Sequence, residues 1–355
     1  MPSLYTSFQL TRISNLAKFY DRLHIADQKW DSIRRIPYSS PGRWVQTLNL
    51  SELVFEGQAQ AVLLDTLLTQ LFPLTPFLSN LSINPSFVLS RRALTSLAQR
   101  EGSTRLRSLS GLSYVPHLFS LPDEDPFVQL LRHCPNLEVF IIVGQGLDPT
   151  ELELESGGAE LPPMTTFVPL NLPKLSVMTL LSMHSSLLML ALLNTPLPHL
   201  RKLTITPYDD IPYPASLVSK FISIHGPTLT SLSLFTPKSW PTRLRPSPDN
   251  LLICGPGLNH LSLESPLPAL ILTEKHNLQI LSIPRPKADF WRVFERLLPL
   301  LPKLAVLRAR DVRWLRKGIS LVAQEAGVQG EMRKWQRRLS RWGIRLVDAD
   351  WKENE

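Results

Sequence analysis

The chain has 355 residues, 43% of them apolar and 19% charged, with a formal net charge of +8. That apolar share is too high for a disordered chain and large enough for a continuous core. Two cysteines without a CxxC pair argue against a disulfide framework or a zinc ribbon, and the longest apolar run, Leu187–Leu193, falls far short of the roughly 20 residues that span a bilayer.

In chain order, residues 1–44 predict a helical lead-in. Leu10, Ile13, Ala17, Tyr20 and His24 form one helical stripe, and Trp30, Ile33 and Ile36 form a second. A pattern of Leu-x-x-Leu-x-Leu or close apolar variants then begins and recurs ten times, at Val45, Leu78, Leu106, Leu137, Leu175, Leu200, Leu229, Leu258, Leu278 and Leu304. Successive starts lie 20 to 38 residues apart, which centres on one strand-plus-helix unit of a leucine-rich-repeat solenoid. Seven copies carry Pro two residues ahead of the first apolar position: Pro76, Pro135, Pro173, Pro198, Pro227, Pro256 and Pro302. Proline ends a helix and favours extended geometry before it, so each copy predicts a helix stop and a strand launch.

Helix signals fall between the strands. They cover Ala61–Leu71, the stripe Ala93, Leu94, Leu97 and Ala98 behind Ser90, and the Asp125-Pro126 start of a segment facing inward with Phe127, Leu130 and Leu131. Further signals span Ser186–Leu193, Ser216–Gly226, and Phe290, Val293, Phe294, Leu297 and Leu301 behind Asp289. The acidic stretch Gln145–Asn171, with Asp148, Glu151, Glu153, Glu155 and Glu160, reads as an insertion. At the carboxyl end Val328, Met332, Trp335, Leu339 and Trp342 predict an amphipathic helix, and Ile344–Val347 a closing strand. The expected architecture is therefore α/β, a horseshoe-shaped leucine-rich-repeat solenoid with a parallel sheet on the concave face and helices on the convex face. It divides into a lead-in at 1–44, the array at 45–311 and a basic cap at 312–355.

Charge is concentrated at the ends. Residues 1–44 hold seven Lys and Arg against three Asp and Glu, residues 312–355 hold ten against six, and the array holds 21 of each. Nucleic-acid binding through Arg333, Lys334, Arg337, Arg338 and Arg341 is accordingly a less favoured reading, as is a structural scaffold. The sequence contains no GxSxG, GxxxxGK[ST], HExxH or GxGxxG motif, so no enzyme activity, cofactor, metal or membrane partner is expected. Both cysteines, Cys134 and Cys254, read as small packed thiols in a reducing, intracellular setting, cytoplasmic or nuclear.

Strand alternation assigns the outward column Asn49, Ser82, Ser110, Ile141, Thr179, Thr204, Ser233, Ser262, Ser282 and Arg308. Its hydroxyls read as a solvated ladder. The loops leaving the strands carry the candidate partner-binding residues: Tyr208, Asp209 and Asp210; Trp240, Arg243 and Arg245, near Phe235; then Arg285, Arg308 and Arg310, with Lys287, Arg313 and Trp314 close by. Tyr, Trp and Arg are the types that most often dominate interface energetics.

The Cys134-Pro135-Asn136-Leu137 launch, the Leu-Pro-x-Leu and Gly-Pro-x-Leu launches and the irregular repeat length resemble the leucine-rich-repeat half of F-box proteins, most of all divergent fungal members. The resemblance covers roughly residues 45–347. It implies non-enzymatic protein–protein recognition, with the repeats holding a ubiquitination substrate for a cullin-RING ubiquitin ligase. The F-box itself is not recognisable in residues 1–44, which have no Leu-Pro-x-Glu opening. Docking to the ligase adaptor is therefore expected only if an F-box is supplied upstream.

Overall fold

A computed structural model of the chain describes residues 6–29, 41–115, 122–144, 167–183, 186–207, 217–237, 248–315 and 327–354. The chain divides into two compact units, Met1–His199 and Leu200–Glu355. Each is α/β, with an all-parallel sheet whose strands follow one another in sequence order.

The first unit contains strands β1 (Ser7–Gln9), β2 (Thr47–Leu50), β3 (Asn80–Ile83), β4 (Ser108–Tyr114), β5 (Val139–Gly144) and β6 (Val177–Leu181). Its helices are α1 (Ile13–Gln28), α2 (Gly57–Leu71), α3 (Arg91–Gln99), α4 (Pro126–Arg132) and α5 (Leu187–Leu193). The second unit contains β7 (Lys202–Ile205), β8 (Ser231–Leu234), β9 (His260–Ser262), β10 (Ile280–Ile283), β11 (Val306–Ala309) and β12 (Arg345–Val347). It also holds α6 (Leu217–His225), the single turn α7 (Leu251–Cys254), α8 (Ala288–Leu297) and α9 (Gly327–Ser340). Each of the ten sequence copies supplies one strand, β2 to β11.

Register explains the core. Leu48, Leu81, Leu109, Phe140 and Met178 are successive partners across the first sheet, and all are fully buried. In the second sheet Leu203, Leu232, Leu261, Leu281, Leu307 and Leu346 do the same. Burying one such side chain stabilises by about 1.5–3 kcal/mol. A one-residue slip would turn the whole column to water, so the register is tightly specified.

The inter-strand segments are capped as their sequences indicate. The Ser90 hydroxyl accepts from the Ala93 N–H, Ser186 from Met189, and the Asp125 carboxylate from Phe127 and Val128. The start of β3 is held by the buried Arg100, whose guanidinium donates to the carbonyls of Thr75 at 2.6 Å and Leu78 at 2.7 Å. Burial lowers its pKa to about 10 and pushes the neighbouring Cys134 thiol up to about 12, which makes that cysteine a packing residue. Between Leu109 and Leu112 the β4–β5 register shifts. Gly111 sits there at φ +71°, and a Cβ would stand 2.0 Å from the Ile83 carbonyl oxygen.

Both ends differ from expectation. The lead-in is not wholly helical: β1 pairs with β2 in the repeat register, Phe8 opposite Leu48. In α1 the buried positions are Leu16 and Leu23, two turns apart, with Phe19 against the Phe8 ring at 4.6 Å. The stripe Ile13, Ala17, Tyr20 and His24 runs along the half-buried flank, where Tyr20 and His24 stack at 5.4 Å, while Leu16 and Leu23 take the inward face. Trp30, Ile33 and Ile36 lie outside the described residues. Helix α9 buries Met332, Trp335 and Leu339, whereas Val328 in its first turn and Trp342, beyond its end at Ser340, stay exposed. Trp335 packs edge-on against Trp291 at 4.8 Å and stacks near Phe294 at 5.8 Å.

Leu261→Asp is expected to unfold the second unit, since an unpaired buried carboxylate costs several kcal/mol in a core shared by neighbouring strands. Thermal melting with an unchanged midpoint would show that this column does not carry the core. Gly111→Val should destabilise by about 1–3 kcal/mol through backbone strain, measurable by urea titration.

Candidate functional site

The sheet face opposite the core column carries three outward columns in the second unit. Lys202, Ser231, His260, Ile280, Val306 and Arg345 form one; Thr204, Ser233, Ser262, Ser282, Arg308 and Val347 form the next. Two residues further along each strand stand Phe235, Glu264 and Arg310, on the same face by alternation.

These columns converge on Arg310. Its guanidinium donates to the Glu264 carboxylate at 2.7 Å, the Ser262 hydroxyl at 3.0 Å and the Leu234 carbonyl at 3.2 Å, and it lies over the Phe235 ring at 5.9 Å. One side chain thus ties β11 to β9 and β8. Glu264 also accepts from the backbone N–H groups of Ser265 at 3.0 Å and Thr236 at 3.3 Å. The two side chains are only 16% and 14% exposed, so this ion pair is shielded from solvent screening far more than a surface pair.

Beside it, His260 Nε2 shares a hydrogen bond with the Ser282 hydroxyl at 2.9 Å. Burial, then the nearby Arg308 charge, lowers the His260 pKa and favours the neutral ring. A Ser–His contact of this length matches the geometry of an activated nucleophile. Ser282 is only 1% exposed, however, so its oxygen cannot meet a substrate; the contact braces the sheet face.

Arg308 is positioned by the carboxyl-terminal turn. The Asp348 carboxylate accepts from the N–H groups of Asp350 and Lys352 at 2.9 Å and of Trp314 at 3.1 Å. That turn aims the Ala349 carbonyl at Arg308 (2.6 Å) and lays Trp351, at φ +62°, on its guanidinium at 4.4 Å. Burial and the Arg310 charge lower the Arg308 pKa, and Asp348 and Asp350 oppose that shift. Arg308 Nε has no hydrogen-bond partner among the described residues. Phe235 and Trp351 remain 40% and 49% exposed. The arrangement offers two aromatic surfaces and a cationic centre around a neutral imidazole, which suits contact with another molecule.

The predicted site residues fare unequally. Arg308 and Arg310 come together, although Arg310 is largely consumed by Glu264. Arg285 is exposed elsewhere, lining a hollow of about 540 Å³ with Lys287 and Lys334. Tyr208, Asp209, Asp210, Trp240, Arg243 and Arg245 lie outside the described residues, as do 145–166 of the acidic insertion. The hydroxyl ladder is not uniformly solvated: Ser262 and Ser282 are buried beneath Arg310 and His260. Glu264, His260 and Trp351 were missed. Glu264 and Arg310 each stand one residue past the last apolar position of their copies, Leu263 and Ala309, a shared offset that pairs them once the register is known.

Of the basic residues on α9, Arg338 stacks over Trp291 at 5.0 Å and Lys334 pairs with Glu331 at 3.6 Å. Among the described residues no group of three His, Cys, Asp or Glu could hold a metal ion, and no helix is long and apolar enough to cross a membrane.

Arg310→Met should cost about 2–4 kcal/mol by stranding Glu264, and pairing it with Glu264→Gln should recover part of that loss in a double-mutant cycle. The depressed His260 pKa gives a pH signature. Its contribution to stability is full above the ordinary imidazole value of about 6.5 and fades as pH falls toward the folded value. His260→Gln should therefore flatten the stability profile below about pH 6.5, read by thermal melts across pH. No family model matches the sequence, and no curated protein is significantly similar to it.

Proposed function

We propose that this chain is a protein-recognition module, a horseshoe-shaped leucine-rich-repeat solenoid that holds its partner on the open sheet face of the second unit. The observation that carries this reading is the exposed pair Phe235 and Trp351 flanking Arg308, His260 and Arg310 on a register-locked surface. Rigid aromatic side chains beside arginine are the usual centres of interface energy, and a sheet face fixed by its register loses little entropy on binding. The launch motifs Cys134-Pro135-Asn136-Leu137 and Gly-Pro-x-Leu support extending this role to the substrate receptor of a cullin-RING ubiquitin ligase.

The test is affinity capture with the full chain and with a Phe235→Glu/Trp351→Glu variant that melts like wild type. Proteins recovered by wild type should be depleted about tenfold or more with the variant, as expected for losing two interface centres. Identical recovery would remove the face from the mechanism. Co-recovery of the ligase adaptor decides the receptor role; its absence under conditions that retain the partner rejects it.

A further inference from the structure

The first unit carries a different surface. Where its strands begin, a cleft of about 710 Å³ opens, lined by Gln46, Phe77, Arg105, Arg107, Glu138 and Lys174 among others. The same offsets around each apolar launch bring these residues together: Phe77, Arg105, Asn136 and Lys174 immediately precede the first Leu of four successive copies, and Gln46, Ser79, Arg107 and Glu138 immediately follow Val45, Leu78, Leu106 and Leu137, the starts of four successive copies.

The cleft is rich in cations and hydrogen-bond donors. Arg105 stacks on the Phe77 ring at 4.4 Å, with Arg43 over the same ring at 5.9 Å, and Arg105 meets no carboxylate among the described residues. Lys174 has no ion-pair partner among them either. Arg107 reaches Glu138 only at 3.9 Å, and Arg43 reaches Glu101 only at 3.9 Å, contacts loose enough for a ligand carboxylate to replace. The neutral groups nearby are already spent inside the protein. Asn136 donates to the Thr104 carbonyl at 2.8 Å, and the Ser79 hydroxyl donates to the Gln46 carbonyl at 3.0 Å.

The geometry points to this cleft as a docking groove for an extended acidic peptide of a partner protein, with carboxylates three residues apart engaging Arg105 and Arg107 at one point and Lys174 at the other. The spacing follows from the sheet. The entry of β4 and that of β6 are two strand steps apart, roughly 9–10 Å, which a chain in polyproline II geometry, rising about 3.1 Å per residue with three residues per turn, crosses in about three residues with both carboxylates on one side. Arg107 and Glu138 stand at matching positions of neighbouring strands, since the Arg107 carbonyl accepts from the Glu138 N–H at 2.7 Å. The Glu138 carboxylate therefore faces the middle of the bound segment. A nucleic-acid strand, charged at every phosphate, would be repelled there, whereas a peptide with uncharged residues between its acids would not. The inference rests on the recognition reading above but uses a separate surface.

The experiment measures fluorescence anisotropy of the full chain with a labelled, end-blocked peptide carrying Glu-Ser-Gly-Glu at low salt. Controls are an isomer with the two glutamates adjacent, a version with lysines in their place, and labelled oligouridylate. The Glu-Ser-Gly-Glu peptide should bind best, and Arg107→Glu/Lys174→Glu should weaken it about tenfold or more, as expected for losing charge-assisted contacts. The melting temperature should not change, because both side chains are exposed. Phe235→Glu in the second unit should leave peptide binding intact, which separates this site from the open-face reading. Absence of binding, equal binding of the adjacent-glutamate isomer, equal binding by the charge-reversed variant, or tighter binding of oligouridylate would each overturn the proposal.

Discussion

Everything in each unit depends on one constraint: neighbouring strands must start in register so that their buried columns meet. Leu203 to Leu307 in the second unit, and Leu48 to Met178 in the first, are continuous only because every repeat strand begins two residues past its launch. Sheet geometry then fixes the opposite face automatically. Residues far apart in sequence, such as Ser233, Ser262, Ser282 and Arg308, become neighbours without any device of their own. The chemistry of the open face is a by-product of packing the core.

On that face, charges are balanced largely within the protein. Arg310 and Glu264 neutralise each other in a shielded position, and His260 is held neutral beside Arg308. Arg308 keeps a stacked tryptophan and a nitrogen with no hydrogen-bond partner among the described residues. In the proposed recognition role, the residues left for a partner would be Phe235 and Trp351 with Arg308 between them, which favours shape over charge. The strand-entry cleft of the first unit is the reverse case, with cations paired loosely or not at all.

The ten repeat strands were legible in the sequence because apolar spacing and proline placement report the same event, the switch from helix to strand. β1 was not, since Ser7-Phe8-Gln9 offers a single apolar side chain and no periodicity to detect. The helical stripe of the lead-in was misplaced because several registers of apolar residues compete along α1, and only contact with Phe8 and the neighbouring helix decides among them. The Arg310–Glu264 pair spans 46 residues and becomes visible only after strands are aligned. The Asp348 turn depends on an acceptor caging three backbone donors, which no local apolar pattern announces.

The first and last strands are brief. β1 and β12 run for three residues each, whereas β4 extends for seven. An unpaired strand edge is a template on which another chain can add, and the hazard grows with the length of open ladder it offers. With roughly 10 Å of backbone each, β1 and β12 offer another chain only a short ladder on which to pair.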